Sequence, residues 1–178
     1  MSTSLGLVER VALKWARTIH HNGGHPDITV GTLRFALQLW ISVLLIFILA
    51  IICSVFFGTT WETLSSLVTL GLLRYFSGGW HFRSLEICIV FTSMLAVVVP
   101  LLPDTNYYML MLMNGFSLLS VLLYAPTGDG QQLRSATQRK IFLWVAVTIV
   151  LINFFSLAQS VTTLIFCQSL TLLPIRRR

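Results

Sequence analysis

One short segment of the chain combines the residue types of a thiol nucleophile and its base. It reads Arg74-Tyr75-Phe76-Ser77-Gly78-Gly79-Trp80-His81-Phe82-Arg83-Ser84-Leu85-Glu86-Ile87-Cys88. A cysteine thiolate can attack a carbonyl carbon, and a histidine can take the thiol proton and return it to a leaving amine. The segment therefore suggests a catalytic pair of Cys88 and His81. A buried cysteine beside an interfacial histidine, without chemistry, is the commoner explanation of such residues.

The distance between His81 and Cys88 depends on how the backbone bends. On one unbroken helix, seven residues rise about 10.5 Å, which is too far for a hydrogen bond between nucleophile and base. We therefore predict a bend between the two, with Ser84 capping a helix that begins near Leu85. Cys88 then lies in or just after the first turn, where the helix dipole favours a thiolate.

The same segment holds candidate supporting residues around the pair. Gly78 and Gly79 can adopt backbone conformations that other residues resist, and can let the chain turn closely around a substrate strand. Glu86 could orient His81, although its spacing of two residues from Cys88 directs the two side chains to different helix faces. A partly solvated interfacial charge is the commoner explanation of such a residue.

The elements that must position these residues are membrane helices. Of the 178 residues, 56% are hydrophobic and 10% are charged, whereas soluble domains carry roughly 25% charged residues. The run from Phe35 to Phe57 has no charge over 23 residues and exceeds the roughly 20 residues that cross a bilayer. We predict an all-α polytopic membrane protein, a single integral membrane domain over residues 1–178.

About six transmembrane helices are predicted from the apolar runs. They cover residues 35–57, 60–76, 86–102, 107–124, 141–156 and 160–173. The last two come from the uncharged run 141–173, which as one helix would be about 50 Å long against a hydrocarbon core of about 30 Å. We therefore place a turn at Ser156-Leu157-Ala158-Gln159-Ser160.

The segment before the first span, residues 1–34, contains an amphipathic pattern. Apolar residues recur at three- and four-residue steps: Leu5, Val8, Ala12, Trp15 and Ile19. Basic residues lie on the other side: Arg10, Lys14 and Arg17. This pattern predicts an N-terminal interfacial helix on anionic lipids, and packing of its apolar side on the rest of the protein accounts for it equally well.

The basic residues all fall on one side of the predicted spans. They are Arg10, Lys14, Arg17 and Arg34 before the first span, Arg74 and Arg83 after the second, Arg134, Arg139 and Lys140 after the fourth, and Arg176, Arg177 and Arg178 at the end. By the positive-inside rule, both termini and segments 74–85 and 125–140 are cytoplasmic. Since topology accounts for the net charge of +6, nucleic acid is not an expected partner.

Other polar residues suggest structure more than chemistry. His20, His21, His25 and Asp27 cluster near the N-terminus, but glycines and a proline break the helical spacing that a metal site would use, so we predict no metal and no cofactor. Cys53 and Cys167 lie in apolar runs and should behave as small hydrophobes. Buried amides most often link helices, although one could donate to an oxyanion; they are Asn114, Asn153, Gln159 and Gln168.

The motifs of the chain also have a familiar order and spacing. The pattern is Arg74-x-x-x-Gly78-Gly79-x-His81-x6-Cys88, and Tyr124-Ala125-Pro126 follows after one hairpin of spans. It resembles the accessory gene regulator B (AgrB) family of bacterial membrane endopeptidases over nearly the whole chain. The resemblance implies Cys88 as nucleophile and His81 as base, with Arg74 and Gly79 at supporting positions.

The resemblance implies an enzyme of the bacterial cytoplasmic membrane that processes the precursor of a cyclic quorum-sensing peptide. In this family the cysteine attacks a peptide bond C-terminal to the future signal, and a substrate cysteine or serine then captures the acyl group as a thiolactone or lactone. The expected partners are that precursor and membrane lipids, and a homodimer is left open. Better-known members carry a lysine-rich stretch where this chain has Thr127-Gly128-Asp129-Gly130-Gln131-Gln132.

Two other functions compete with the peptidase. A small transporter or exporter of a peptide or ion would line its path with His81, Glu86 and Arg74. Such a protein should have polar residues along several spans, whereas the ionisable residues here concentrate in one segment. A structural membrane adaptor is favoured only by the small size.

The topology can be tested with reporter fusions. With six spans and both termini inside, fusions after residue 105 should report an external position, and fusions after residues 130 and 178 an internal one, because the basic residues stay in the cytoplasm. The measurement is alkaline phosphatase against green fluorescent protein activity at each site. An external C-terminus would rule out this arrangement.

Overall fold

The computed structural model describes residues 6–23, 28–79, 84–127 and 135–173. Within those residues it contains seven α-helices and one short 3₁₀ helix, without strands, which confirms the all-α prediction. The α-helices are α1 (Leu7–His21), α2 (Val30–Phe57), α3 (Thr60–Ser77), α4 (Leu85–Val98), α5 (Tyr107–Tyr124), α6 (Ala136–Ser156) and α7 (Gln159–Leu170), and the 3₁₀ helix Val99–Leu101 extends α4.

Each of the six predicted spans corresponds to one helix, α2 to α7. The largest differences are at the starts of α2 and α6, which begin five residues earlier than the apolar runs. Arg34, Arg139 and Lys140 lie just before these apolar runs and so limit them in the sequence. Arginine and lysine are good helix formers, however, so each helix already begins before these residues. The helices were therefore predictable, and their ends less so.

Three helices are long and apolar enough to cross a membrane: α2, α5 and α6. In contrast, α7 has 12 residues and is about 18 Å long, less than the roughly 30 Å of a hydrocarbon core. The apolar stretch of α4 and its 3₁₀ extension is also short. The count of six crossings and the single integral domain thus stay predictions.

The chain forms two compact units, residues 1–52 with 81–94, and residues 53–80 with 95–178. The second unit packs α3, α5, α6 and α7 around one apolar core. Its fully or nearly buried members are Leu73, Val121, Ala125, Ala146, Val147, Val150, Ile165 and Leu172. Side-chain hydrogen bonds also connect three of these helices, since Asn153 Nδ2 donates to Asn114 Oδ1 (3.4 Å) and to Thr162 Oγ1 (2.9 Å). These amides link helices, as expected for polar groups in apolar surroundings.

Gln159 joins two turns at one end of the second unit. The backbone N–H of Thr105 donates to Gln159 Oε1 (2.8 Å), and Gln159 Nε2 donates to the carbonyls of Leu102 (3.2 Å) and Pro103 (3.0 Å). The chain reverses between α6 and α7 at Leu157, whose φ is 42°. This confirms the turn predicted at residues 156–160.

In the first unit, α1 divides its apolar residues between two environments. Val8, Ala12 and Ala16 are buried, whereas Trp15 is 56% exposed and Ile19 is 44% exposed. Small residues four apart thus form the packed strip, and the large apolar residues remain accessible together with the basic ones. Packing on the protein therefore accounts for one strip of α1, and a lipid contact of the other stays a prediction.

Candidate functional site

The start of α4 has the geometry predicted for the nucleophile. The backbone N–H of Ile87 donates to Ser84 Oγ (3.5 Å), so Ser84 caps the helix. The N–H of Cys88 donates to the carbonyl of Ser84 (3.2 Å), which is the first intrahelical hydrogen bond of α4. Cys88 therefore lies in the first turn, and its side chain is half-buried.

Glu86 lies between Ser84 and Cys88 in the sequence, and its carboxylate accepts hydrogen bonds from Ser84 and from the start of α1. Ser84 Oγ donates to Glu86 Oε2 (2.8 Å), and the backbone N–H of Val8 donates to Glu86 Oε1 (3.3 Å). A Cβ added at Gly6, just before α1, would lie 2.7 Å from the carboxyl carbon of Glu86. The carboxylate thus covers the N-terminus of α1, where the helix dipole favours a negative charge.

This cap explains a local feature of α1. Gly6 is its N-cap residue and offers no side-chain hydrogen bond to the first turn. Glu86 supplies that acceptor from a residue 78 positions away. The sequence has a glycine at the N-cap position, where Ser, Thr, Asp or Asn is preferred. It does not indicate that Glu86 supplies the capping acceptor instead.

His81 lies outside the described residues, together with Trp80, Phe82 and Arg83. The pairing of His81 with Cys88, and its orientation by Glu86, therefore stay predictions. The histidine cluster near the N-terminus is described only at His20 and His21, both exposed. Across the described parts of the chain, no group of three or more metal-ligating side chains comes together.

The second unit contains Arg74, Gly78 and Gly79. Arg74 lies in the last turn of α3, a position that favours a cation, and its carbonyl accepts the N–H of Gly78 (3.0 Å). Gly78 then has a φ of 74° and Gly79 a φ of 129°. Both values lie in the region that side chains other than glycine rarely adopt, so the backbone conformation itself requires the pair of glycines.

The two glycines are enclosed by a group of polar side chains, which we call the diglycine cradle: the buried Ser77, Thr127 and Gln168 and the half-buried Thr171 around Gly78 and Gly79. The N–H of Gly79 donates to Thr127 Oγ1 (2.7 Å), and Gln168 Nε2 donates to the carbonyl of Gly78 (2.8 Å). The N–H of Thr127 donates to the carbonyl of Ser77 (3.0 Å). Three distant segments of the chain thus meet at the glycines.

The cradle leaves no room for side chains at the glycines. A Cβ at Gly78 would lie 2.9 Å from the carbonyl oxygen of Thr127, and one at Gly79 would lie 2.9 Å from Gln168 Nε2. The absence of side chains at the two glycines therefore lets Thr127 and Gln168 of the same chain come close to the glycine backbone. Neither Gly78 N–H nor Gly79 N–H is open to a substrate strand.

Sequence reasoning did not identify Thr127 as part of this arrangement. It follows directly after Tyr124-Ala125-Pro126, and that adjacency is the one signal in the sequence that connects it to the motif residues. Gln168 was expected only to link helices. The two other cysteines lie elsewhere, Cys53 exposed on α2 and Cys167 half-buried on α7.

Comparison with known proteins identifies relatives over most of the chain. Accessory gene regulator protein B of Staphylococcus aureus (strain bovine RF122 / ET3-1) is 27% identical over 153 residues, which cover 80% of this chain and 81% of that protein. Protein FsrB of Enterococcus faecalis (strain ATCC 47077 / OG1RF) is 30% identical over 100 residues, 53% of this chain and 41% of the longer relative. No solved structure matches.

The family assignment rests on a match along nearly the full sequence. The family model of accessory gene regulator B matches residues 12–173, a range that includes both the start of α4 and the diglycine cradle. The three long apolar helices agree with a membrane protein. The chain therefore belongs to the accessory gene regulator B family, and its role is in quorum-sensing peptide processing.

Proposed function

We propose that this chain is a membrane-embedded cysteine endopeptidase that cuts a quorum-sensing precursor on the C-terminal side of the signal and closes the signal into a ring. The observation that carries the proposal is the position of Cys88 in the first turn of α4. The start of a helix is a recurrent position for a cysteine that acts as a nucleophile in proteins. Membership of a peptide-processing family supports the substrate class.

The proposed reaction has two acyl transfers. Cys88 Sγ attacks the carbonyl carbon of the scissile peptide bond, the C–N bond breaks, and His81 passes the thiol proton to the leaving amine. The signal is then held as a thioester on Cys88. A thiol or hydroxyl of the substrate attacks that carbonyl, the bond to Cys88 breaks, and the thiolactone or lactone is released with the proton returned to Cys88. No water is consumed in forming the ring.

The cap of α4 limits where the oxyanion can bind. A tetrahedral intermediate needs hydrogen-bond donors aimed at its oxygen. The N–H groups of Ile87 and Cys88 both donate to Ser84, so using either would break the helix start. The donors must therefore come from other groups.

The proposed location is the cytoplasmic membrane, with several crossings and both termini in the cytoplasm. The direction of the helices supports it, because the hydrogen bonds of the diglycine cradle bring the C-terminal ends of α3 and α7 together. The loop after α5 joins them through Thr127. The distribution of basic residues requires the C-terminal ends of α3, α5 and α7 to lie on one side of the membrane. The contacts of the diglycine cradle agree with that requirement.

The precursor is proposed to reach Cys88 from the inner leaflet. On α1 the exposed residues include Arg10, Lys14 and Arg17 together with Trp15 and Ile19. Basic residues near anionic headgroups contribute about 1 kcal/mol each, and an aromatic side chain favours the interface. This face suits a membrane surface on which the precursor also lies.

Replacing the nucleophile tests the peptidase directly. Cys88→Ala should lower precursor cleavage by at least about a thousandfold, because no neighbouring group can form the acyl intermediate. The measurement is the mass of the products when the protein is co-expressed with its precursor, sought as a short neighbouring reading frame with an internal Cys or Ser. Cys53→Ala and Cys167→Ala are the matched controls and should stay within about twofold of the parent. Cleavage that persists in Cys88→Ala would exclude this mechanism.

Glu86 provides a second test, because capping and catalysis predict different outcomes. Glu86→Ala removes the cap of α1, which costs about 1 kcal/mol, and should speed amide hydrogen exchange in residues 7–12 while slowing cleavage only a few-fold. Glu62→Ala removes an exposed acid from the first turn of α3 and is the control. Loss of cleavage with unchanged exchange in α1 would instead assign Glu86 to the orientation of His81.

A further inference from the structure

The outer surface of the second unit has an apolar band of nearly constant height. Apart from tyrosines, the exposed large apolar side chains run from Met109 to Leu123 on α5 and from Ile141 to Phe155 on α6. At about 1.5 Å per residue, each run is about 21 Å long. Both helices are long and apolar enough to cross a membrane, so this band is the surface that meets hydrocarbon in a bilayer.

Polar or amphipathic side chains lie at both edges of the band. Tyr107 and Tyr108 precede it on α5 and Tyr124 follows it, and all three are exposed. Tyrosine is enriched where hydrocarbon meets headgroups, because its ring is apolar and its hydroxyl is polar. On α6, Arg139 and Lys140 are exposed directly before the band. The edges therefore correspond to the two membrane interfaces.

Helix α3 gives a similar height from its charged residues. Glu62 lies in its first turn and Arg74 in its last, and the helix rises about 18 Å between them. Charged groups are costly inside hydrocarbon, so both positions belong at the interfaces. A tilt of any of these helices makes its projected height smaller still, so about 21 Å is an upper limit for the band.

The ends of the three helices lie at the same two levels. Gln159, which follows the end of α6, donates to the carbonyl of Leu102 shortly before α5 (3.2 Å). At the other end, the ring centroid of Phe142 near the start of α6 lies 5.2 Å from that of Phe76 in the last turn of α3. Thr127, shortly after α5, joins that end of α3 through the diglycine cradle. The bands of the three helices therefore coincide and are not staggered.

This height is too small for an ordinary membrane, whose hydrocarbon core is about 30 Å thick. We propose that the second unit takes a shell of phospholipids with short or compressed acyl chains and so thins the bilayer around it. The short band belongs to α3, α5 and α6 and not to every helix. The exposed apolar run of α2, from Phe35 to Phe57, is about 33 Å long.

A short apolar surface is matched by thinning of the bilayer, by flanking side chains that reach outward, or by oligomerisation. Reaching outward needs long side chains, whereas Glu62 and Asp104 at one end of the unit are short acids. The exposed tyrosines at both ends of α5 favour lipid over a second copy of the chain, because this side chain suits the level of the headgroups. Thinning is therefore the response that these residues support.

The test measures the depth of nitroxide labels on α5 and needs no precursor. In the full chain with its three cysteines replaced by alanine, one label is placed at Tyr108→Cys, Phe116→Cys or Leu123→Cys, three exposed positions. The protein is reconstituted in phosphatidylcholine vesicles with monounsaturated acyl chains of 18 carbons. Relaxation by oxygen, which collects in hydrocarbon, is compared with relaxation by a water-soluble nickel complex. The first and last labels should both lie at headgroup level, and the middle label should lie deepest.

A bilayer that is not thinned gives a different result. The two end positions are about 22 Å apart along the helix, so in a core of about 30 Å they would together lie about 8 Å inside the hydrocarbon. That depth would overturn the proposal. A middle label that oxygen cannot reach would also overturn it, since a second copy of the chain would then cover the band. Labels at Phe35→Cys and Phe57→Cys on α2 are the control and should lie at or beyond headgroup level.

The unlabelled protein provides a second measurement that does not depend on how a label affects the fold. Its unfolding midpoint is compared in vesicles with acyl chains of 14, 18 and 22 carbons. Because mismatch costs free energy for each ångström of difference, the midpoint should fall by several degrees from the thinnest bilayer to the thickest. A midpoint that is equal in all three, or highest with 22 carbons, would contradict the thinning. Neither measurement uses peptide cleavage, so both results are independent of the proposed function.

Discussion

The second unit depends on one interaction, the hydrogen bond between polar side chains and the groups that they meet inside an apolar chain. A few buried groups, such as the hydroxyl of Thr63, have no such partner. Water is not available in a hydrocarbon core to satisfy them, and each unpaired group costs several kcal/mol. The side chains that break the apolar runs are therefore used as links. Gln159 joins two turns at one end of the second unit, Asn153 joins three helices within it, and Gln168 holds the glycines at the other end.

The same constraint explains which features could be predicted from the sequence. Helices α2 to α7 follow from apolar runs and from the length that a helix of each run would have. The cap at Ser84 and the turn before Gln159 follow from local residue preferences, as does the position of Cys88 in the first turn of α4. These features depend on residues within a few positions of each other, so the chain determines them locally.

The contacts that complete the site could not be predicted in this way. Glu86 meets Val8 across 78 positions, Thr127 meets Gly79 across 48, and Gln168 meets Gly78 across 90. A sequence pattern shows that Gly78 and Gly79 suit an unusual backbone. It does not show which distant residue fills the space, because that choice depends on how helices pack. The same holds for α1, where packing divided Val8 from Trp15 although both lie on one predicted apolar face.

The described residues on the two sides of positions 80–83 each take part in a hydrogen bond with a side-chain hydroxyl. Thr127 Oγ1 accepts from Gly79 before them, and Ser84 caps α4 after them. Thr127 and Ser84 are themselves uncharged, so neither hydroxyl titrates over the range in which a histidine does, and Ser84 also donates to the carboxylate of Glu86. In the proposed enzyme, a change in the charge of His81 would therefore leave both of these hydrogen bonds intact.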